Sequence, residues 1–194
     1  MTTRIDSVIY SQCHAFQSEW CFHLGGPILN LCSQADPAHL GEKYGATNLD
    51  ICDREIDKNT IYRDEVKNFI QGDARKTPFK DGEFKVVVLG ETIEHCTERY
   101  AYDLMRECVR VSREYIILTY PYDPRPKEEQ QKEEHLIEYA PGCVSWHQTL
   151  WDREMLLKMF NSFELRVLVT RDIFYYFTKV IPGVGFVLKK GVFR

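Results

Sequence analysis

The apolar run Phe84–Leu89 (FKVVVL) empties directly into a cluster of two carboxylates and an imidazole, Glu91, Glu94 and His95. A short run this hydrophobic fits a strand buried in the middle of a parallel sheet better than a half-exposed one. Upstream, Val66–Gln71 reads as another strand, followed by Gly72-Asp73 and the turn Lys80-Asp81-Gly82. Acidic side chains at the carboxyl ends of successive buried strands are what an open α/β sheet uses to hold a nucleoside-bearing ligand in its crevice.

The rest of the chain supplies the alternating elements such a sheet requires. Residues 6–24 read as an N-terminal helix stopped by Gly25-Gly26-Pro27, and Ile28–Cys32 as the first strand. Asp36-Pro37 is a favourable helix start, and that helix is expected to run to Tyr44 and end at Gly45. Thr47–Ile51 is the second strand, Val66–Gln71 the third and Phe84–Leu89 the fourth. A helix over 97–112 carries Ala101, Leu104, Met105, Cys108 and Val111 on one face. Tyr115–Tyr120 is a fifth strand, and Asp152–Phe160 an amphipathic helix. Two late strands, Glu164–Thr170 and Gly183–Lys189, are expected to flank an aromatic connection, Asp172–Pro182. The charged run Asp123–Glu134 has no apolar anchor and reads as a solvated loop, with a substrate lid as the sharper reading. This order predicts an α/β fold with a mostly parallel sheet and helices on both faces.

Length and composition narrow the class. At 194 residues the chain suits one domain, with 1–27 as a helical extension and 28–190 as the core. A formal charge of -4 disfavours a nucleic-acid-coating protein. Nothing approaches a membrane-spanning apolar stretch, and Met1–Asp6 does not lead into a secretion signal. Seven cysteines without a CxxC pair suggest free thiols in a reducing cytoplasm. Cys13-His14 and Cys21-x-His23 are spaced too irregularly for a zinc site and read as packed helix residues. The aromatic set Tyr10, Phe16, Trp20, Phe22, Trp146, Trp151, Tyr175 and Tyr176 reads mainly as core. Cys96 has no base and orienter beside it and reads as a buried thiol.

GDARKTPFKDGEFKVVVLGETIEHC, the helix after it, YIILTYP, HLIEYAPG and WHQTLWDREMLLKMFNSFEL occur in an order that resembles the class I S-adenosylmethionine-dependent methyltransferases, in particular the type-11 group. The resemblance spans about residues 28–190. It implies a Rossmann-like methyltransferase fold with a seven-stranded sheet, S-adenosylmethionine as cofactor, and methyl transfer to an acceptor, small or macromolecular, that the sequence does not identify. It implies that Asp50, at the tip of the second strand, accepts from the ribose hydroxyls. Asp73 would accept from the adenine amino group, with the Ala74 N–H on the ring, and Gly90-Glu91 would line the methionine end.

The first loop departs from the family. Where an acidic residue and a Gly-x-Gly-x-Gly turn are usual, ILNLCSQADP puts Asn30 at the acidic position and Cys32, Gln34 and Asp36 at the glycines. Either the loop keeps cofactor in a different shape, using Asn30, Cys32 and Ser33 or Gln34, or the pocket is partly closed and the protein binds or regulates without methylating. His95, then Glu91, are the candidate proton acceptors, with His135 and His147 behind them. Glu-x-x-Glu-His with a distant histidine also resembles the metal site of small-RNA 3′-terminal 2′-O-methyltransferases, with His135 or His147 as fourth ligand. We read the motif instead as a loop brace and helix cap, and assign no metal.

Overall fold

The computed structural model describes residues 6–33, 38–51, 68–121, 138–144, 147–176 and 180–191. A seven-stranded sheet is built from β1 (Ile28–Leu31), β2 (Thr47–Asp50), β3 (Phe69–Gln71), β4 (Phe84–Gly90), β5 (Ser112–Pro121), β8 (Leu165–Tyr176) and β9 (Val180–Lys190). The spatial order is β3-β2-β1-β4-β5-β9-β8. The pairs β3–β2, β2–β1, β1–β4 and β4–β5 are parallel, whereas β9 runs antiparallel to both β5 and β8. The mostly parallel sheet is therefore as expected, with an antiparallel edge. Strand order reverses between β1 and β4, and that switch point opens a crevice at the strands' carboxyl ends.

Side chains alternate across the sheet and divide the core into two layers. Leu29, Leu31, Leu49, Val87, Leu89, Ile116 and Leu118 share a cluster with Leu104, Met105 and Cys108 of α3 (Glu98–Val111) and Leu156 and Phe160 of α4 (Arg153–Ser162). Ile28, Val86, Val88, Ile117 and Val187 pack with Cys13, Phe16 and Cys21 of α1 (Asp6–Leu24) and Leu40 of α2 (Leu40–Tyr44). Each such fully buried aliphatic side chain contributes about 1.5–3 kcal/mol relative to exposure. Helices thus lie on both faces.

Local chemistry sets the helix limits. Thr97 caps α3 by accepting from the Tyr100 N–H, and Asp152 caps α4 by accepting from the Met155 N–H at 2.8 Å. On α1, Cys13, Phe16, Gln17 and Cys21 are buried, a spacing of three to four residues that turns one face to the sheet. Arg171 of β8 clasps Glu19 of α1 through two hydrogen bonds of 2.7 and 3.0 Å.

Three expectations need correction. α2 begins at Leu40, because His39 has a left-handed backbone (φ 54°) that a right-handed helix cannot include; Asp36 and Pro37 lie outside the described residues. The late hairpin is longer than expected, with pairing from Leu165↔Lys190 to Tyr176↔Val180 and one register shift between Val167 and Val169. Ile173, Phe174, Tyr175 and Tyr176 are strand formers, so most of the supposed connection is strand. Phe22, counted with the core aromatics, is 70% exposed, while Phe16 and Trp151 are buried. A small ribbon, β6 (Glu138–Ala140) with β7 (Cys143–Val144), was not foreseen. Val66, the Asp123–Glu134 run, Tyr10's side chain, Gln34, His135 and Trp146 lie outside what is described. Among the described residues no helix is long and apolar enough to cross a membrane.

Candidate functional site

At the tip of β1 the chain turns through Cys32, which adopts φ 54°. The loop therefore keeps a left-handed turn where the glycine pattern has been lost, at a cost of about 1–2 kcal/mol for a side chain in that conformation. Its thiol lies beside Asp50 and Thr92, and burial first, then the Asp50 charge, hold it well above the usual thiol range. Ser33 follows, 5% exposed, with a hydroxyl that has no hydrogen-bond partner among the described residues. Asn30 is less available than expected. Its amide donates 2.9 Å to Asn48 Oδ1 on β2, inside the layer covered by α1 and α2.

Asp50 is the last residue of β2, at the carboxyl end of the sheet, and is 4% exposed. Its carbonyl accepts from Gly72 N–H at 2.8 Å, fixing the loop that carries Asp73 and Ala74. Ala74 is buried. Both Asp73 carboxylate oxygens already accept from Arg75, at 2.6 Å from Nη2 and at 3.0 and 3.1 Å from Nε. That pairing, chiefly the side-chain hydrogen bond, holds the Asp73 carboxyl below its usual range. Arg75 in turn lies over the Tyr100 ring, 4.1 Å from its centroid. A carboxylate offers about four lone-pair sites, so an adenine amino group still has somewhere to donate.

At the tip of β4, Gly90 is overlain by α1. A Cβ placed there would sit 2.2 Å from Gln17 Nε2. Glu91 then takes φ 49°, its N–H bound to the Thr119 carbonyl at 3.1 Å. Three residues on, Glu94 is 1% exposed in a single 3₁₀ turn, Ile93–His95. The motif does not cap α3 as expected; Thr97, nearer the helix, does. Burial, with the charge of Glu91 added, pushes its carboxyl well above the usual range.

A distant segment grips this turn. Gln148 and Thr149 N–H donate to the Glu94 carbonyl at 2.7 and 3.2 Å, Gln148 Nε2 to the His95 carbonyl at 3.2 Å, Thr149 Oγ1 to the Cys96 carbonyl at 2.7 Å, and Trp151 Nε1 to the Ile93 carbonyl at 3.0 Å. The grip sets His147 against His95, ring centroids 4.9 Å apart. Beside them, Cys96 bridges to Cys143, with sulfurs 3.7 Å apart.

Asp50, Ser33, Cys32, Glu91 and Gly90 thus gather around the switch point, with Asp73 and Ala74 on the adjoining loop. Asn30 faces the layer beneath. Sequence reading missed Gln17, Arg75 and Cys143. Gln17 had no local signal, whereas Arg75, two residues from Asp73, was the obvious basic neighbour.

The comparisons agree with this architecture. A family model described as a methyltransferase domain matches residues 32–115, from the β1 loop into β5. A protein from Pyrococcus horikoshii OT3 is 18% identical, with TM-score 0.69 over 98% of this chain and 93% of that one. Magnesium protoporphyrin IX methyltransferase from Synechocystis PCC 6803, solved with bound SAH, is 10% identical, with TM-score 0.68 over 95% of this chain and 84% of that one. A [4+2]-cyclase, SpnF, is 12% identical, with TM-score 0.65 over 92% of this chain and 81% of that one. No curated protein matches in sequence. At these identities the solved structures establish the fold, and the fold is the Rossmann-like one that the class I methyltransferase resemblance implied.

Proposed function

We propose that this crevice binds S-adenosylmethionine and that the protein transfers its methyl group to an acceptor. The supporting observation is that adjacent strand tips present a buried Asp50 carboxylate and a buried Ser33 hydroxyl that has no partner among the described residues. Cys32, just before Ser33, takes the left-handed backbone angle that glycine usually supplies at this turn. The residues therefore fit the cofactor: Asp50 would take the ribose hydroxyls, Asp73 and the Ala74 N–H the adenine, and Ser33, Gly90 and Glu91 the methionine side. When bound, the sulfonium supplies an activated methyl group, whose carbon–sulfur electron pair returns to sulfur as the acceptor's lone pair forms the new bond.

The chain's own contribution is alignment and exclusion of water. Gln17 closes the space over Gly90, and under this reading Glu91 and His95, which follow the β4 tip, would face the acceptor. With His95 as proton acceptor, the proton lost by the acceptor passes to its imidazole. Calorimetry with S-adenosylhomocysteine tests the reading: saturable binding that falls at least tenfold in Asp50→Ala supports it. No heat at millimolar ligand ends it.

A second reading keeps the crevice and drops methylation. It is favoured by the Arg75–Asp73 pairing, and the cyclase shows that proteins of this shape do other chemistry. Under it S-adenosylhomocysteine binds, while no methyl acceptor consumes S-adenosylmethionine.

A further inference from the structure

We propose that Cys96 and Cys143 are a dithiol that a peroxide converts to a disulfide, a modification site at the edge of the crevice that a bound nucleoside shields. Both are free thiols, and their sulfurs are 3.7 Å apart. The two residues face each other in an antiparallel bridge that joins β7 to the turn after β4. Thr97 N–H donates to the Gly142 carbonyl at 2.8 Å, so the hydrogen bond flanks the cysteines instead of joining them. In an antiparallel pair of that kind the Cα atoms stand about 4.5 Å apart and the side chains come closest. Disulfides span about 4.4–6.8 Å between Cα atoms, so a bond of about 2.05 Å needs only an inward turn of the two side chains.

The backbone holds this register. Gly142 takes φ 88°, and a Cβ there would lie 3.0 Å from Oγ1 of Thr97, the cap of α3. Glycine thus lets the β6–β7 ribbon approach closely enough to bring Cys143 onto Cys96.

The two thiols are unequal, and the inequality assigns their roles. Cys143 is half-buried and within reach of a small oxidant, whereas Cys96 is wholly buried. Contact with Cys96 lowers the Cys143 thiol against the opposing effect of burial; the same contact, then burial, raises Cys96. The thiolate is the nucleophile, so Cys143 meets the peroxide and Cys96 resolves the product. Cys32 is held well above the usual thiol range by burial and then by Asp50, which keeps it protonated.

The Cys143 thiolate attacks one peroxide oxygen, the O–O bond breaks, and hydroxide leaves with a proton from solvent as water. Cys143 is then a sulfenic acid. The Cys96 sulfur attacks the Cys143 sulfur, the S–O bond breaks, and the departing hydroxyl leaves as water with the Cys96 proton. Two thiols and one hydrogen peroxide thereby give a disulfide and two waters, the sulfurs losing two electrons and the peroxide gaining them.

The charges of Asp50, Arg75 and Asp73 all act on the Cys143 thiol, which sets it beside the carboxylates assigned to ribose and adenine. A nucleoside held there would stand in the oxidant's way. This shielding rests on the methyl-transfer reading; the disulfide does not.

The test treats the full, reduced protein with a small excess of hydrogen peroxide, alkylates the remaining thiols and maps peptides by mass spectrometry. The expected main product is a peptide linked through Cys96 and Cys143 and released by dithiothreitol. In Cys96→Ser, sulfenic acid should accumulate at Cys143 and be trapped by dimedone; in Cys143→Ser, Cys96 should remain a thiol. Absence of the linked peptide, or a main product joining Cys143 to Cys32, would overturn the pair. Oxidation of Cys96 in Cys143→Ser at the wild-type rate would overturn the order of attack. Saturating S-adenosylhomocysteine should slow formation of the linked peptide at least threefold. Calorimetry on the same samples separates the readings. Binding without slowing would overturn the shielding, and a linked peptide without any nucleoside binding would defeat only the methyl-transfer reading.

Discussion

Gln17 Nε2 donates to Thr119 Oγ1 at 2.8 Å, directly across the face of Gly90, so that α1 and β5 meet over the tip of β4. The bond joins residues 102 positions apart in a buried setting. It makes α1 part of the crevice wall.

Gly90→Ala is therefore expected to destabilise the fold by about 1–3 kcal/mol, the usual cost of overpacking. The added methyl would enter the Gln17 amide. Because the clash is with a side chain, Gln17→Ala in the same molecule should recover most of the loss, although it gives up the Thr119 hydrogen bond. Urea midpoints of the two single variants and the double variant form the measuring cycle. Additive losses would mean that Gly90 is needed for backbone reasons instead.

Glu107 of α3 holds the loop that follows Asp73. One oxygen accepts from Thr77 N–H at 2.7 Å and Thr77 Oγ1 at 2.6 Å, and the other from Arg110 Nε at 2.8 Å. Arg110 also donates to the Phe79 carbonyl at 2.8 Å. Burial tends to raise the Glu107 carboxyl, but the Arg110 and Thr77 hydrogen bonds outweigh it and the net direction is down. Glu107→Ala should cost about 1–3 kcal/mol, because the Thr77 N–H and hydroxyl lose their buried acceptor while Arg110 keeps Asp81 and the Phe79 carbonyl. The sign with pH is that of a depressed acid. Its contribution is present above the ordinary glutamate value and disappears as pH falls through the folded one. A Glu107→Gln protein should thus show a shallower acid loss in urea titrations; an unchanged slope would refute the assignment.

How much of this was legible in the sequence depends on distance along the chain. Phe84–Leu89 and the apolar faces of 97–112 and 152–160 are local patterns, and a strand and two helices formed where those patterns placed them. Asp50 and Asp73 could be set at strand tips because strand ends are also local. The lost glycine turn was visible, but not its outcome, since only the folded loop shows Cys32 carrying the left-handed angle. The start of α2 was misread because the left-handed angle of His39 is not visible in its residue type, and the β8–β9 pairing because the strand propensity of residues 173–176 was passed over. Gln17 over Gly90, and His147 against His95, were beyond reach for a different reason. Each depends on elements that meet only after the sheet has assembled.

Cys143 is expected to be the most readily alkylated of the described thiols. The Cys96 S–H directed at its sulfur is the main cause lowering it, with Arg75 adding, against the opposing effect of burial. Cys32 and Cys108 are both raised, by burial first. Mass spectrometry after brief iodoacetamide treatment of folded protein should find label first at Cys143. Cys96→Ala should slow that labelling several-fold at constant pH, since the thiolate loses its donor. Equal rates in the two proteins would show that the sulfur–sulfur contact does not tune reactivity.

His14 gives the fold a second acid sensitivity, on the opposite face of the sheet. It is buried on α1, and desolvation, with the His39 and Lys43 charges adding, drives its imidazole from 6.5 to about 4. A histidine depressed in the folded state stays neutral there while the unfolded chain takes up a proton. Its contribution is therefore complete above pH 6.5 and is lost as pH falls toward 4. Two and a half units correspond to roughly 3 kcal/mol in full, of which about 2 kcal/mol is lost by pH 5. Replacing His14 with Leu removes the titrating group but keeps an apolar filling. Urea unfolding at pH 7.5 and at pH 5 should then show the gap between the two conditions narrowing by about 2 kcal/mol in His14→Leu. An equal gap in both proteins would mean that the imidazole is already protonated in the fold, and that the buried face of α1 tolerates the charge.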